Sequence, residues 1–568
     1  MSANTSGLSG SHPAGVPTET SARRMVTSGL RRALPLICGL LIWLWLAPDP
    51  WPVNPFPYAW PRNPYPWWVR WALGLLAILV VWAAGSEHPA LRTIRSRIEQ
   101  RAMVLLLIGL SLAFVYGWAT SLVPLYTFDS RGPGPSLDLA LYSSVCWNTW
   151  EGRPFQSIWG HYFAIHASFV PVMLLPLCPP GIGIAGYLVG HSLLLVLPAL
   201  PLFWLARRSL PTFPALLLAW AYLVLPGIFS HATEWELKEA PLIALPLACC
   251  FLFYRRGQFR AFLASATFGL GIVEYYAPVF GLFGLVAWRQ RRSWAWIIAP
   301  LLLAVLWAGV AQWIVLPFFR QAYPHPITDA FQSGLIHYRH LGDSPSAILQ
   351  RVVSDPASVV DLLTDRLHLA FLYELLAPFL FVLPWAAPEA LFALWDLAID
   401  LPTSTYDVLL LSGGHAGLAS TALLAGTIAS LSRLTRRGNG DAPAIVRSIA
   451  AAVLVLAAAS PVTVGSAIYP VHQLRQPRQA LAAAVALVPP DLPVAAPPGV
   501  VPHLVNRSRA YYLWENPDLE QLAAILFAHR GDRAVDEWEM QLLQTVRADP
   551  KYQLAYDRDG VRLFLRRP

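Results

Sequence analysis

Asp138 follows an apolar run that ends at Phe128, across the Gly/Pro-rich loop Gly132-Pro133-Gly134-Pro135-Ser136. It heads the segment LDLALYSSVCWNTWEGRPF, Leu137–Phe155. Ser136 is placed to cap a helix starting near Leu137. The stretch Asp138–Trp150 reads as an amphipathic helix on the membrane surface. A carboxylate there can accept a proton from an attacking hydroxyl, or hold a divalent ion on a phosphate. The plainer alternative is an acid that a helix start favours through the helix dipole.

Four other places carry polar groups against an apolar background. His161 and His166 lie five apart, which is not the i,i+4 spacing of helical metal ligands. The loop HATEWELKEAP (His231–Pro241) packs Glu234, Glu236, Lys238 and Glu239 between two apolar runs, where a turn also simply needs polar residues. GIVEYYAP sets Glu274 at a break between two short apolar runs, and an acid there is costly to bury without a partner. His415, in SGGHAGLAS, stands at the start of another run. No GxxxxGK[ST] phosphate loop, GxSxG elbow or HExxH helix occurs, which argues against ATP-driven transport, serine hydrolysis and zinc proteolysis.

The elements that hold these groups are membrane helices. Of 568 residues, 56% are hydrophobic and 13% charged, against about 25% charged in soluble domains. Mean hydropathy is +0.47. Apolar runs of roughly 15–25 residues recur, each able to cross a hydrocarbon layer of about 30 Å. They predict a mainly α, polytopic membrane protein with about 12–13 transmembrane helices. The 24 Trp and 20 Tyr suit interfacial belts. The run Phe163–Cys178, interrupted by Pro171 and Pro176, reads as re-entrant or interfacial.

Basic clusters give the sidedness. Arg23/Arg24/Arg31/Arg32, Arg92–Arg101, Arg207/Arg208, Arg255/Arg256/Arg260, Arg289/Arg291/Arg292 and Arg433/Arg436/Arg437 share one side, the cytoplasmic one by the positive-inside rule. The same clustering beside apolar runs accounts for the net charge of +8 and excludes nucleic acid as a partner. The opposite side receives Asp138, His161–His166, the Ser230–Pro241 loop and the last hundred residues. The chain thus divides into a disordered cytoplasmic N-terminus (1–30), two extra membrane helices (31–101), a transmembrane core (102–468) with a first outer loop at 127–165, and an extracytoplasmic α/β domain (469–568). In that domain Asp559-Gly560 marks a hairpin turn between Tyr552–Tyr556 and Val561–Leu565. The five Cys show no CxxC spacing, so neither a zinc site nor a disulfide framework is expected.

With Asp138, Trp147-Asn148-Thr149 and Gly152-Arg153-Pro154-Phe155 in view, the chain resembles a bacterial polytopic membrane-protein family, domain of unknown function 2079. Further matches are His166-Ala167-Ser168, Glu239–Gly257, Val273-Glu274-Tyr275-Tyr276 and His415, so that the resemblance covers roughly residues 102–568. That family is similar to the GT-C class of glycosyltransferases, whose first outer loop begins with the catalytic Asp, here Asp138. The resemblance implies a GT-C-like core that takes sugar from a polyprenyl-phosphate carrier at the outer face of the bacterial cytoplasmic (inner) membrane. It implies substrate-binding roles for Asn148, Arg153, His166, Lys238, Glu239, Glu274 and His415. Arg153 and Lys238 are the candidates to stabilise the departing lipid phosphate. A divalent cation, magnesium or manganese, would be held by Asp138. Two departures bear on this: the family's second acid falls on Ser143, and its VKED break is VEYY here. Membrane lipid and the lipid-linked donor are the expected partners. The competing readings are a non-catalytic membrane assembly or binding protein, and a lipid or sugar transporter. The second lacks any clear internal repeat.

Overall fold

The computed structural model describes residues 29, 33–42, 67–128, 135–233, 237–327, 335–404, 416–437, 441–461, 463, 479–507, 509–528 and 537–567. Most are helical. Among them, five helices or helix pairs are long and apolar enough to cross a membrane: Ala102–Val123, Ile184–Arg207, Trp294–Ala322, Gly417–Arg436 and Ala442–Ala459. A sixth candidate, Trp71–Gly85 with Pro89–Gln100, bends by 83° at its break. Thr212–Leu223 and Phe259–Leu270 are shorter apolar helices.

The first long helix, α1 (Ala102–Thr127), shows how such a sequence survives in lipid. Its hydroxyls turn back on their own helix. Thr120 Oγ1 donates to the carbonyls of Tyr116 and Gly117, and Ser121 Oγ to that of Trp118. No water is then needed to satisfy them.

Asp138 sits in the first turn of α2 (Pro135–Trp150). Ser136 lies within the described helix, which runs from Pro135. After α2 comes a two-stranded ribbon, β1 (Gln156–Ser157) antiparallel to β2 (Gly160–His161). The following apolar stretch is broken into a 3₁₀ turn (Tyr162–Ala164), a short helix (Val170–Leu174) and a second 3₁₀ turn (Leu175–Leu177). Five helical residues rise only about 7.5 Å, too little to span a bilayer. Cys146 on α2 is disulfide-bonded to Cys178 at the end of this stretch, with Cα atoms 6.3 Å apart. This corrects the expectation of no disulfide. A bridge between cysteines 32 residues apart has no short motif to announce it; only the fold brings them together.

The chain then descends through α3 (Ile184–Val196) and α4 (Ala199–Arg207), and returns through α5 (Thr212–Leu223). After the loop carrying Lys238 and Glu239, a 3₁₀ turn (Ala240–Ile243) leads into α6 (Ala244–Arg256). Next, α7 (Phe259–Leu270) and α8 (Ala277–Arg289) form a hairpin with Glu274 at its turn. Later come α9 (Trp294–Val310), α10 (Gly417–Arg437) and α11 (Ala442–Ala459). Gly417, at the start of α10, must be glycine: a Cβ there would meet Pro241 Cα at 2.6 Å. That close approach pins α10 beside the Glu239 loop.

The C-terminal part is a five-stranded mixed sheet in the order β4-β3-β5-β7-β6. The strands are β3 (Val494–Ala496), β4 (Ala510–Tyr512), β5 (Ala524–Ala528), β6 (Tyr552–Arg558) and β7 (Val561–Arg566), with helix α12 (Glu537–Ala548) between β5 and β6. β3 runs parallel to β4 and β5; β5/β7 and β6/β7 are antiparallel. Asp559 (φ 51°) and Gly560 (φ 76°) make the tight turn between β6 and β7, as the Asp-Gly pair prescribes. This domain packs on α2 and the ribbon that follows it. Trp159 Nε1 donates to Glu515 at 2.8 Å, and the Tyr512 hydroxyl donates to the Leu137 carbonyl at 3.3 Å.

Candidate functional site

Three carboxylates lie at the starts of helices. Asp138 is in the first turn of α2, Glu239 immediately precedes the 3₁₀ turn leading into α6, and Glu274 opens the 3₁₀ turn leading into α8. Helix N-termini carry partial positive charge, so each favours its acid.

His166 joins two of them. Its Nδ1 is 3.4 Å from Glu274 Oε1 and its Nε2 is 3.6 Å from Glu239 Oε1. The second oxygen of Glu274 accepts the backbone N–H of Ala167 at 3.1 Å. Glu239 also accepts hydrogen bonds from Tyr142, and from Tyr162 at 3.3 Å, and the two phenol oxygens lie 3.1 Å apart. Glu239 and Glu274 are both buried at 7% exposure, yet each has partners, as buried acids require.

Asp138 lies in the electrostatic reach of this group, feeling the charges of Lys238, Glu239 and His166. Burial pushes its carboxyl up to about 7; Glu239 adds to the rise, while Lys238 and His166 oppose it. Burial disfavours the His166 imidazolium, but Glu274, Glu239 and Asp138 together raise it to about 9. Burial would lift Glu274, yet His166 and two backbone hydrogen bonds hold it below its ordinary value. Near neutral pH the site therefore contains a fixed cation, an ionised Glu274 and an Asp138 poised between its two forms.

Lys238 is placed by a residue that spacing did not reveal. His191 Nε2, on α3, lies 3.0 Å from the Lys238 carbonyl oxygen and 3.2 Å from its backbone nitrogen. Tyr142 is the other missed member. Its i+4 relation to Asp138 puts both on one face of α2, and that spacing was the available signal.

Asn148 and Arg153 stand apart from this group. Ten residues of helix separate Asn148 from Asp138, about 15 Å along the axis. Asn148 Nδ2 donates to the Gln156 carbonyl, and its own carbonyl accepts from Arg153 N. The Arg153 guanidinium lies over Trp147, 4.8 Å from the ring centroid. Both close the turn from α2 into β1. His161 is buried and stacks on Phe319 at 4.2 Å; burial lowers its pKa to about 4, so it is neutral. Ser143, where the family's second acid would fall, is buried, and its hydroxyl has no hydrogen-bond partner among the described residues. His415, Glu234 and Glu236 lie outside the described residues.

Among the described residues no group of three or more His, Cys, Asp or Glu side chains is disposed to hold a metal ion. His166 bridges Glu239 and Glu274, where an ion shared by those two acids would have to stand.

Comparison with solved structures finds distant likenesses. ArnT from Cupriavidus metallidurans, crystallised with undecaprenyl phosphate, is 11% identical; the match covers 81% of this chain and 97% of that one, at a TM-score of 0.48. Its apo form gives 13% identity, 82% and 98% coverage and a TM-score of 0.47. The oligosaccharyltransferase AglB from Archaeoglobus fulgidus, in complex with an inhibitory peptide and a dolichol-phosphate, gives 13% identity, 74% and 65% coverage and a TM-score of 0.37. No curated protein matches the chain. Residues 135–563, from the first turn of α2 to the last strand of the C-terminal sheet, match one family over three quarters of the sequence, and the protein belongs to it: the predicted membrane proteins of DUF2079.

Proposed function

We propose that the protein is an inverting glycosyltransferase that transfers a sugar from a polyprenyl-phosphate carrier at the outer face of the bacterial cytoplasmic membrane. The observation that carries the reading is the charge environment of Asp138: a half-buried carboxyl, raised to about 7 by desolvation, within the fields of His166 and Lys238. A general base works best with a pKa near the operating pH. In this scheme Asp138 takes the proton of the acceptor hydroxyl as its oxygen attacks the anomeric carbon. The bond from that carbon to the phosphate oxygen breaks, and the lipid phosphate leaves with the electron pair. His166 and Lys238 offset the charge that develops on it. Glu239 and Glu274 hold the imidazolium; Tyr142 and Tyr162 hold Glu239. No step needs a metal ion.

Sidedness follows from two independent features. The positive-inside rule assigns the basic clusters to the cytoplasmic side, and a disulfide ties α2 to the stretch beside it. Disulfides persist in oxidising compartments. Both features support a reading with a cytoplasmic N-terminus and an extracytoplasmic C-terminal sheet domain. The experiment is an assay of purified protein in lipid nanodiscs with a panel of polyprenyl-phosphate sugars and membrane acceptors. Release of polyprenyl phosphate with inversion at the sugar supports the reading. No release from any donor favours a non-catalytic binding protein.

A further inference from the structure

At the opposite end of the bundle from Asp138, four arginines converge. Arg208 follows α4, Arg255 is near the end of α6, and Arg433 and Arg436 are in the last turns of α10. Together they line one cavity of about 130 Å³, in which Glu389 is the single carboxylate among the described residues. Helix C-termini favour a nearby cation, and that explains one arginine per helix. It does not explain why three helices deliver them to a shared space. Two of the four are held in place: Arg255 is paired with Glu389, and Arg433 donates to the Ala386 carbonyl. The hydroxyls of Ser209 and Ser432 lie in the same wall. The rest of the wall is apolar, with Leu205, Phe251 and Ile428 running up into the bundle.

A recess with a cationic rim and an apolar wall, at the level where helices leave the membrane, has the form of a lipid-headgroup site. Arginine forks bind phosphate oxygens in pairs, and basic pockets between helices on the cytoplasmic side hold anionic headgroups. We propose that this cavity binds the phosphate ester of an anionic phospholipid of the cytoplasmic leaflet, on the face away from the candidate transfer site.

The test uses the full-length protein in detergent, with phosphatidylglycerol, phosphatidylcholine and inorganic phosphate as probes and native mass spectrometry as readout. The expected result is retention of phosphatidylglycerol over phosphatidylcholine, with no displacement by inorganic phosphate. The double variant Arg433→Ala/Arg436→Ala should weaken phosphatidylglycerol binding by about twenty-five-fold, at roughly fivefold per arginine. The control Arg92→Ala/Arg97→Ala, on another basic segment of the same face, should leave it unchanged. Should the double variant fail to fold, Arg208→Ala, whose side chain is exposed, carries the test at roughly fivefold. Displacement by inorganic phosphate would make the cavity a free-phosphate site and overturn the lipid assignment. Equal retention of both lipids, or undiminished binding by the variants, would overturn the site altogether.

Discussion

His166 and Glu274 are 108 residues apart in sequence and their side chains meet at 3.4 Å, Nδ1 to Oε1. The contact joins the first outer loop to the turn of the α7–α8 hairpin. It also fixes a positive charge whose field reaches Asp138. The account of this site rests on that pairing.

Glu274→Gln tests the pairing. Removing the carboxylate removes the largest influence that raises His166, leaving burial opposed only by Glu239 and Asp138, so its pKa should fall from about 9. Titration of labelled histidine by NMR, or the alkaline limb of a transfer assay, reads the shift. A His166 that still titrates near its present value would show that Glu274 does not hold the charge.

The pH profile of transfer should be bell-shaped. Asp138 must lose its proton to act as base, so the rate should rise through about pH 7. His166 must keep its proton, so the rate should fall through about pH 9. Stability falls with rising pH through both groups. The His166 pKa is raised by folding, so its contribution is full below about 6.5 and is lost as pH rises through about 9. The Asp138 pKa is also raised, so an ionised Asp138 costs stability as pH climbs from about 4 to 7. Asp138→Asn should therefore be more stable than wild type above neutral pH, as a melting series across pH would show.

Trp159 and Glu515 link the first outer loop to the sheet domain. Burial pushes the Glu515 carboxyl up to about 7, and the indole N–H is its side-chain donor. Trp159→Phe keeps a ring but removes the donor, at a cost of about 1–3 kcal/mol for the group left unsatisfied. Faster proteolysis of the outer domain, with the membrane helices intact, is the expected result. Unchanged protection would mean that the domain docks through other contacts.

The Cys146–Cys178 bridge closes a loop over the segment that carries His161 and His166. Cys146→Ser should lower stability by on the order of 3 kcal/mol. Wild type treated with reductant should match the variant. A variant as stable as wild type under oxidising conditions would mean that the bridge contributes nothing.

The sequence disclosed the class of the molecule, because apolar runs and flanking arginines are local signals. It also disclosed the β6–β7 hairpin, since Asp559-Gly560 prescribes its turn, and the placement of Asp138 in a first helical turn. It did not disclose what surrounds Asp138. Glu239 meets Tyr142 and Tyr162 only once the Lys238 loop folds over α2, and His191 reaches the Lys238 backbone from α3, 47 residues away. Such contacts leave no period in the sequence. Asn148 and Arg153, neighbours of Asp138 along the chain, were grouped with it by motif, whereas the length of α2 carries them to its far end.

The most direct measurement is sugar transfer from polyprenyl-phosphate donors by wild type and Asp138→Asn, both reconstituted and both shown to be folded. Asparagine keeps the size and hydrogen-bonding capacity of the side chain but cannot take up the proton. The account predicts a loss of roughly a hundredfold to ten-thousandfold in rate, with donor binding retained. Transfer by Asp138→Asn at the wild-type rate would contradict it and remove Asp138 from the chemistry.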